Sequence, residues 1–300
     1  MRLLIGAADA KQIRVSGFEE LPLPEDGMIN GIITDAPKMT GFFERLLAAR
    51  PEAAKSQTTL TIHTNSIQTK VMDVPRVPEA KALEIIRREF VQYDNFGAAE
   101  AEESIYDYTI LNNKSASGGI TLLAASVPAD MLRTYRDVLE GAGLKLKSVG
   151  VGVGSQIKLM KFLPEYADGS FVLAQTDGRY LSLSLFTGGL FKVTNRYRLV
   201  NEIGTRERLM EIGSNLSSML QFAISQRDED TPPVETAVFA GLTDAEFSVV
   251  AQEYAYLSVE LKKLDLSGAV QLSGRAAEAA AAGGFDPAFY LFNLGGLLKR

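Results

Sequence analysis

Apolar positions along the chain change period several times, and each change marks an element. Leu3 to Ala7 and Gln12 to Leu21 read as strands joined by the polar turn Asp9-Ala10-Lys11, and Pro22 and Pro24 stop the second. Met28 to Ile33 reads as one more extended piece. Met39, Phe42, Phe43, Leu46 and Leu47 then recur at helical spacing up to Pro51. Thr58 to Val74 alternates again, with Leu60, Ile62, Ile67 and Val71 on the faces expected to be buried. A helix is predicted over Pro78 to Tyr93, strands over Glu103 to Leu111 and Gly119 to Ser126 around the polar turn Asn112 to Gly118, and a helix over Pro128 to Ala142 closed by Gly143. Lys145 to Val149 is strand-like, and Gln156 to Leu163 is helical.

After Pro164 and Asp168-Gly169 the pattern restarts. Phe171 to Gln175 and Tyr180 to Phe186 read as a hairpin around Thr176-Asp177-Gly178-Arg179, and Thr187-Gly188-Gly189 turns into a third strand ending at Tyr197. A long amphipathic helix from Val200 to Gln226 carries Leu209, Ile212, Leu216, Leu220 and Ala223 on one stripe, with a break expected near Gly204. The polar run Arg227 to Pro233 ends it. Val234 to Ala240 is a strand before Gly241, and Thr243 with Glu246 is a capping-box pair for a helix reaching about Tyr256. Asp286-Pro287 opens a last helix to Arg300. The order strand-strand-strand-helix-strand-helix predicts an α/β class.

Composition narrows the chemistry. The 300 residues include 46% apolar and 23% charged positions, a globular mix, with a net charge of -6 and no clustering of Lys and Arg. That excludes a basic nucleic-acid surface. There is no Cys, so disulfides, zinc ribbons and thiol nucleophiles are out, and His63 stands alone as the histidine in an alternating, strand-like run. No apolar run is long enough to cross a bilayer, which points to a cytoplasmic chain that reaches a membrane only through a partner.

Few motifs carry chemistry. Gly150-Val151-Gly152-Val153-Gly154 lies between a strand and a helix, as a dinucleotide site requires. Ser155 holds the place of the third glycine, though, and the next suitable acid, Asp177, is on a hairpin turn, so a tight strand-to-helix connection is expected. No P-loop and no Gly-x-Ser-x-Gly elbow occurs. The carboxylate groups Glu102-Glu103 and Asp228-Glu229-Asp230 lie in polar runs and read as solvated faces.

Several ordered stretches resemble the PilM family, the actin-like component of type IV pilus assembly. They are Gly17 to Gly31, residues 79–96, 105–111 and 122–147, Asn215 to Gln226, and the closing helix. FtsA-like proteins are the nearest rivals. The resemblance implies a two-lobed actin-like ATPase (ribonuclease-H-like) fold with an inserted α+β subdomain in the first lobe. Residues 1–70 and 148–169 would form the first lobe, 71–147 the insert, 170–285 the second lobe and 286–300 a closing helix.

In that superfamily ATP and Mg²⁺ are held by two hairpins built around Asp-x-Gly, where glycine admits phosphate to the backbone and the acid positions metal. Aligned on Leu183 to Phe186, the second hairpin has Gln175 at the Asp position and Asp177 at the Gly position, with Thr176 and Gly178 beside them. The adenosine-side glycines shrink to Gly241-Leu242-Thr243. The strand leading into the first hairpin would precede Arg2 to Gly6, upstream of Met1. The resemblance therefore implies a degenerate nucleotide site, with no cofactor and no metal expected.

The function implied is a non-catalytic assembly protein binding the N-terminal cytoplasmic peptide of a PilN-like inner-membrane partner, alongside other pilus components and with self-association open. Such a protein would lie at the inner face of the cell membrane. Two alternatives stand beside it: an active actin-like ATPase or FtsA-like filament scaffold, and an unrelated α/β interaction protein.

Overall fold

A computed structural model describes residues 1–93, 103–115, 118–227, 229 and 231–299. Glu102, Asp228 and Asp230, part of the turn before Gly118 and the end of the 79–96 stretch lie outside them. The elements are β1 (Arg2–Ala8), β2 (Ile13–Glu20), β3 (Met28–Ile29), β4 (Ile32–Ile33), α1 (Ala36–Ala49), α2 (Pro51–Lys55), β5 (Gln57–Ile62), β6 (Gln68–Val74), α3 (Glu79–Tyr93), β7 (Ser104–Asn112), β8 (Ile120–Pro128), α4 (Ala129–Gly141), β9 (Lys145–Val151) and α5 (Gly152–Phe162). They continue with β10 (Phe171–Asp177), β11 (Tyr180–Thr187), β12 (Leu190–Arg198), α6 (Arg206–Ser225), β13 (Thr236–Ala240), α7 (Asp244–Glu253), β14 (Glu260–Lys263), β15 (Val270–Leu272), α8 (Gly274–Ala281), a 3₁₀ turn (Pro287–Tyr290) and α9 (Leu291–Leu297). The chain divides into two compact units, Met1 with Glu20–Gly154, and Arg2–Glu19 with Ser155–Arg300.

The unit containing the C-terminal half is built on a five-stranded sheet in the order β12-β11-β10-β13-β14. β10, β11 and β12 run antiparallel as a meander, while β13 lies parallel to β10 and β14 parallel to β13. Two tight turns set the meander. Gly178 takes φ +55° between the paired residues Asp177 and Tyr180, and Gly188 and Gly189 take φ +54° and +71° between Thr187 and Leu190. Such turns need positive φ, which glycine adopts without a Cβ penalty.

Helix α6 crosses from β12 to β13, and its stripe Leu209, Ile212, Leu216, Met219 and Leu220 packs on Val172, Ala174, Leu181, Leu183, Ala237 and Phe239. β10 is buried on both faces, as a central strand between two apolar layers must be. Helix α6 begins at Arg206, capped by the Thr205 side chain, so Gly204 (φ +84°) ends the preceding loop and no helix precedes it. It runs unbroken through Gly213.

A second sheet in this unit orders β1-β2-β15, with Val270 beside Ile13 and Leu272 beside Val15 in parallel. Phe18 stacks on Phe285 with centroids 4.3 Å apart. The hairpin β1–β2 therefore belongs to the same compact unit as the C-terminal half. The boundaries expected from sequence put it with residues 20–70, because no periodicity announced β15 as a partner.

The other unit has two cores. Sheet β6-β8-β7 is antiparallel and carries α3 on one face, through Val74, Ala82, Ile86, Phe90, Leu122 and Ala124. Parallel strands β5 and β9 share the second core with α4 and the short hairpin β3–β4, through Ile62, Val127, Met131, Tyr135, Met28 and Ile33. The piece Met28 to Ile33, expected as one extended run, is thus a hairpin folded at Asn30-Gly31. The expected C-terminal helix is also corrected: it is a 3₁₀ turn capped by Asp286, followed by α9.

Candidate functional site

The five sequence-selected positions do gather. Gln175, Thr176, Asp177 and Gly178 end β10, and Gly241 follows β13 on the neighbouring strand, with Gln175 in register with Ala240. Carboxyl ends of parallel strands are where α/β sheets place ligands. Here, however, the chain's own groups already occupy the chemistry of each.

Gln175 is 3% exposed, and its Oε1 accepts a 2.8 Å hydrogen bond from Gln156 Nε2. Gln156, fully buried on α5, in turn accepts from Ser184 Oγ at 2.9 Å, and Ser184 Oγ lies 2.9 Å from Thr194 Oγ1. This is a closed amide and hydroxyl network with no charge in it. Thr176 Oγ1 donates to Gly241 O at 2.5 Å. Gly241 is at φ +83°, and a Cβ there would run into Thr176 O, so glycine at 241 serves the strand contact.

Asp177 accepts from Arg2 Nη1 at 2.9 Å, and the same Arg2 nitrogen donates to Phe289 O at 2.9 Å. The guanidinium carbon is 5.8 Å from the Tyr290 ring centre, within cation–π range. Gly178 O accepts from Arg208 Nη2. Arg208 is buried near the start of α6, and its Nη1 has no hydrogen-bond partner among the described residues. Burial lowers its pKa, against the nearby carboxylates of Glu246 and Glu211, which raise it.

Sequence reasoning missed Arg2, Gln156 and Arg208, each of which reaches the hairpin from a distant segment with no local signal. The arrangement does not fit a magnesium-bound phosphate. The neutral Gln175 amide supplies no charge to a divalent cation, and the Asp177 carboxylate is already engaged by Arg2. Among the described residues no group of three or more His, Cys, Asp or Glu could hold a metal ion.

The Gly150 to Gly154 stretch behaves as a connector. β9 extends to Val151 and α5 starts at Gly152, whose Cα faces the His63 ring so closely that a Cβ would overlap it. His63 itself lies just beyond β5 rather than inside a strand.

A chain of the solved PilM-PilN type IV pilus biogenesis complex superposes with a TM-score of 0.75 at 16% identity, covering 99% of this chain and 96% of that one. The cytoplasmic domain of EpsL, an inner membrane component of the type II secretion system of Vibrio cholerae, follows at a TM-score of 0.51 and 10% identity, covering 100% and 90%. This chain has the actin-like ATPase fold. Within that fold the β10–β11 hairpin is the one that the sequence aligned with the second phosphate loop. No protein-family model and no curated protein matches the chain.

Proposed function

We propose that the chain is a PilM-like assembly protein that binds the cytoplasmic N-terminal peptide of a PilN-like membrane partner and does not hydrolyse ATP. The observation that carries this reading is the superposition on a chain of the PilM-PilN complex along practically the full length of both chains. The absence of turnover is supported by the hairpin chemistry. Phosphoryl transfer is catalysed by positioned cations and donors, and here those positions hold a neutral amide and a carboxylate already bridged to Arg2. Among the described residues no helix is long and apolar enough to cross a membrane, and in this reading the partner supplies the membrane attachment.

A fluorescein-labelled peptide covering the cytoplasmic N-terminus of a PilN-like membrane protein should bind saturably in an anisotropy titration. The same protein should release no phosphate from Mg·ATP and show no heat of nucleotide binding at millimolar ATP. Micromolar Mg·ATP binding would instead promote the ATPase reading, and absence of peptide binding would remove the assembly reading.

A further inference from the structure

Strand β12 closes one side of the five-stranded sheet, and among the described residues it pairs with β11 alone. Leu199 N, just past its end, donates to Arg179 O at 2.8 Å, in step with the pairing of Arg198 with Tyr180. Antiparallel pairs alternate. Val193, Asn195 and Tyr197 therefore turn their backbone groups to β11, while Thr194, Arg196 and Arg198 turn theirs outward. The register shifts at Leu185 and Phe186, opposite Lys192, so the regular edge runs from Val193 to Arg198. That is an ordinary length for a strand.

The fold gathers on this edge charges that are scattered along the sequence. Strands β11 and β12 hold Lys192, Arg196 and Arg198 and no Asp or Glu, and Arg179 lies in the turn before β11. Ser184 and Thr194 share a face, since their hydroxyls meet at 2.9 Å. By alternation Arg196 and Arg198 lie on that face too, and the Arg196 guanidinium stacks 3.6 Å over the Tyr180 ring centre. Arg179, Lys192 and Arg198 are exposed and have no carboxylate partner among the described residues. Of the acids around them, Asp177 is bridged to Arg2, and Glu211 is engaged by the N–H groups of Val200 and Asn201. Glu202 lies exposed in the loop that follows.

The opposite edge, β14, is built otherwise. Lys262 lies 3.1 Å from Glu260 and 3.8 Å from Glu165, and Lys263 lies 2.5 Å from Asp244 and 4.0 Å from Asp286. Its cations are answered within the chain. Cations on an edge strand repel most other strands. At β12 they would also repel a second copy, because edge-to-edge pairing sets Arg196 and Arg198 against their own counterparts. A strand rich in carboxylates meets the opposite condition.

We infer that the outer edge of β12 adds an extended acidic segment of a partner protein as a further strand. The segment's backbone would bond to the outward groups of Thr194 and Arg198, and Asp or Glu at alternate positions would face Arg196 and Arg198. Arg179 and Lys192, at the two ends, would speed encounter and select against basic segments. This surface belongs to the unit containing the C-terminal half, and the inference is separate from the membrane-partner reading and does not rest on it.

The test titrates three fluorescein-labelled peptides against the full chain: one alternating Glu with Val, one alternating Lys with Val, and a copy of the first with N-methyl groups along one backbone edge. The wild type should bind the Glu peptide saturably, and the other two about tenfold more weakly or worse, as lost backbone hydrogen bonds and like charges require. Lys192→Gln/Arg198→Gln alters two exposed side chains and should match the wild type by circular dichroism. It should bind the Glu peptide roughly threefold to tenfold more weakly, with a flatter salt dependence. Lys192→Glu/Arg198→Glu should reverse the preference toward the Lys peptide. Equal binding of the N-methylated peptide would leave charge alone as the contact, and equal binding by the Gln variant would place the contact elsewhere. Either result overturns the inference, as does no binding of the Glu peptide at millimolar concentration. Phosphatidylserine vesicles held by the wild type and released by the Gln variant, without peptide binding, would assign the cations to lipid headgroups instead. A wild-type dimer in sedimentation that the Glu peptide disperses would assign the edge to a second copy and likewise overturn it.

Discussion

Changing Gln175 to Asp removes one methylene and adds a charge inside a strand buried on both faces. The shorter carboxylate would reach Gln156 poorly, and Gln156, fully buried, has no water to turn to. Leaving such a buried group unpaired costs about 1–3 kcal/mol, and burying the new charge adds to that. Gln175→Asp is therefore expected to lower the urea midpoint without creating ATP hydrolysis. An unchanged midpoint would mean that residue 175 reaches solvent. That Gln175 departs from an acidic motif was readable from the sequence; that Gln156 answers it was not, since nothing in one strand names the helix residue that will lie beneath it.

Tyr135 carries the other residue-scale expectation. Burial pushes its phenol up to about 12. The folded protein then holds this proton more tightly than the unfolded chain, where a tyrosine titrates near about 10. Stability from Tyr135 is accordingly complete below the unfolded value and is lost as pH rises through the folded one. Comparison of the wild type with Tyr135→Phe should show a phenolate absorbance step near pH 12 that the variant lacks, and a stability difference that shrinks above about pH 10. A step at the ordinary tyrosine value would show that the hydroxyl is solvated and does not donate to Gly31 O.

Among elements, α6 shows how periodicity and punctuation divide the work. Its stripe was legible because Leu209, Ile212, Leu216 and Leu220 recur at helical spacing. Its start was misplaced by six residues because Val200 and Ile203 are apolar yet exposed, in a loop whose backbone N–H groups at Val200 and Asn201 are held by the Glu211 carboxylate. Gly213 lies inside the unbroken helix, and glycine is needed there because the Tyr254 ring lies where a Cβ would be.

Leu216 is fully buried against the sheet, so Leu216→Ala should cost about 2–5 kcal/mol by denaturant unfolding, the range for a leucine truncated in a core. A cost near zero would place the stripe in solvent. Strands β14 and β15 and helix α8 escaped the sequence reading. Four and three residues are too short for alternation to register, and Gly274–Ala281 is mostly alanine with little apolar contrast. The Asn30-Gly31 turn, by contrast, was written plainly and could have been read as a hairpin.

Across the whole molecule, the actin-like order was legible because it is carried by the sequence of element types: three strands, a helix, a strand, a helix. Which strand neighbours which is a different kind of information. The parallel contact of β15 with β2 joins positions 257 apart through three residue pairs, and alternation within a strand sets its faces without naming its neighbour. That the contact grouping joins β1–β2 to the C-terminal half therefore has no local signal in the sequence.

That same contact orders events during synthesis. The first hairpin leaves the ribosome early, with the β2 edge that β15 will cover still open. At about 5–20 residues per second, its third strand arrives roughly 10–50 s later. Through that interval the nascent chain carries an uncovered strand edge, the kind of surface on which chains pair wrongly. The open edge of β2 is thus a target for chaperones at translation, and slowing the ribosome anywhere between the codons of β2 and β15 should raise aggregation by lengthening that interval.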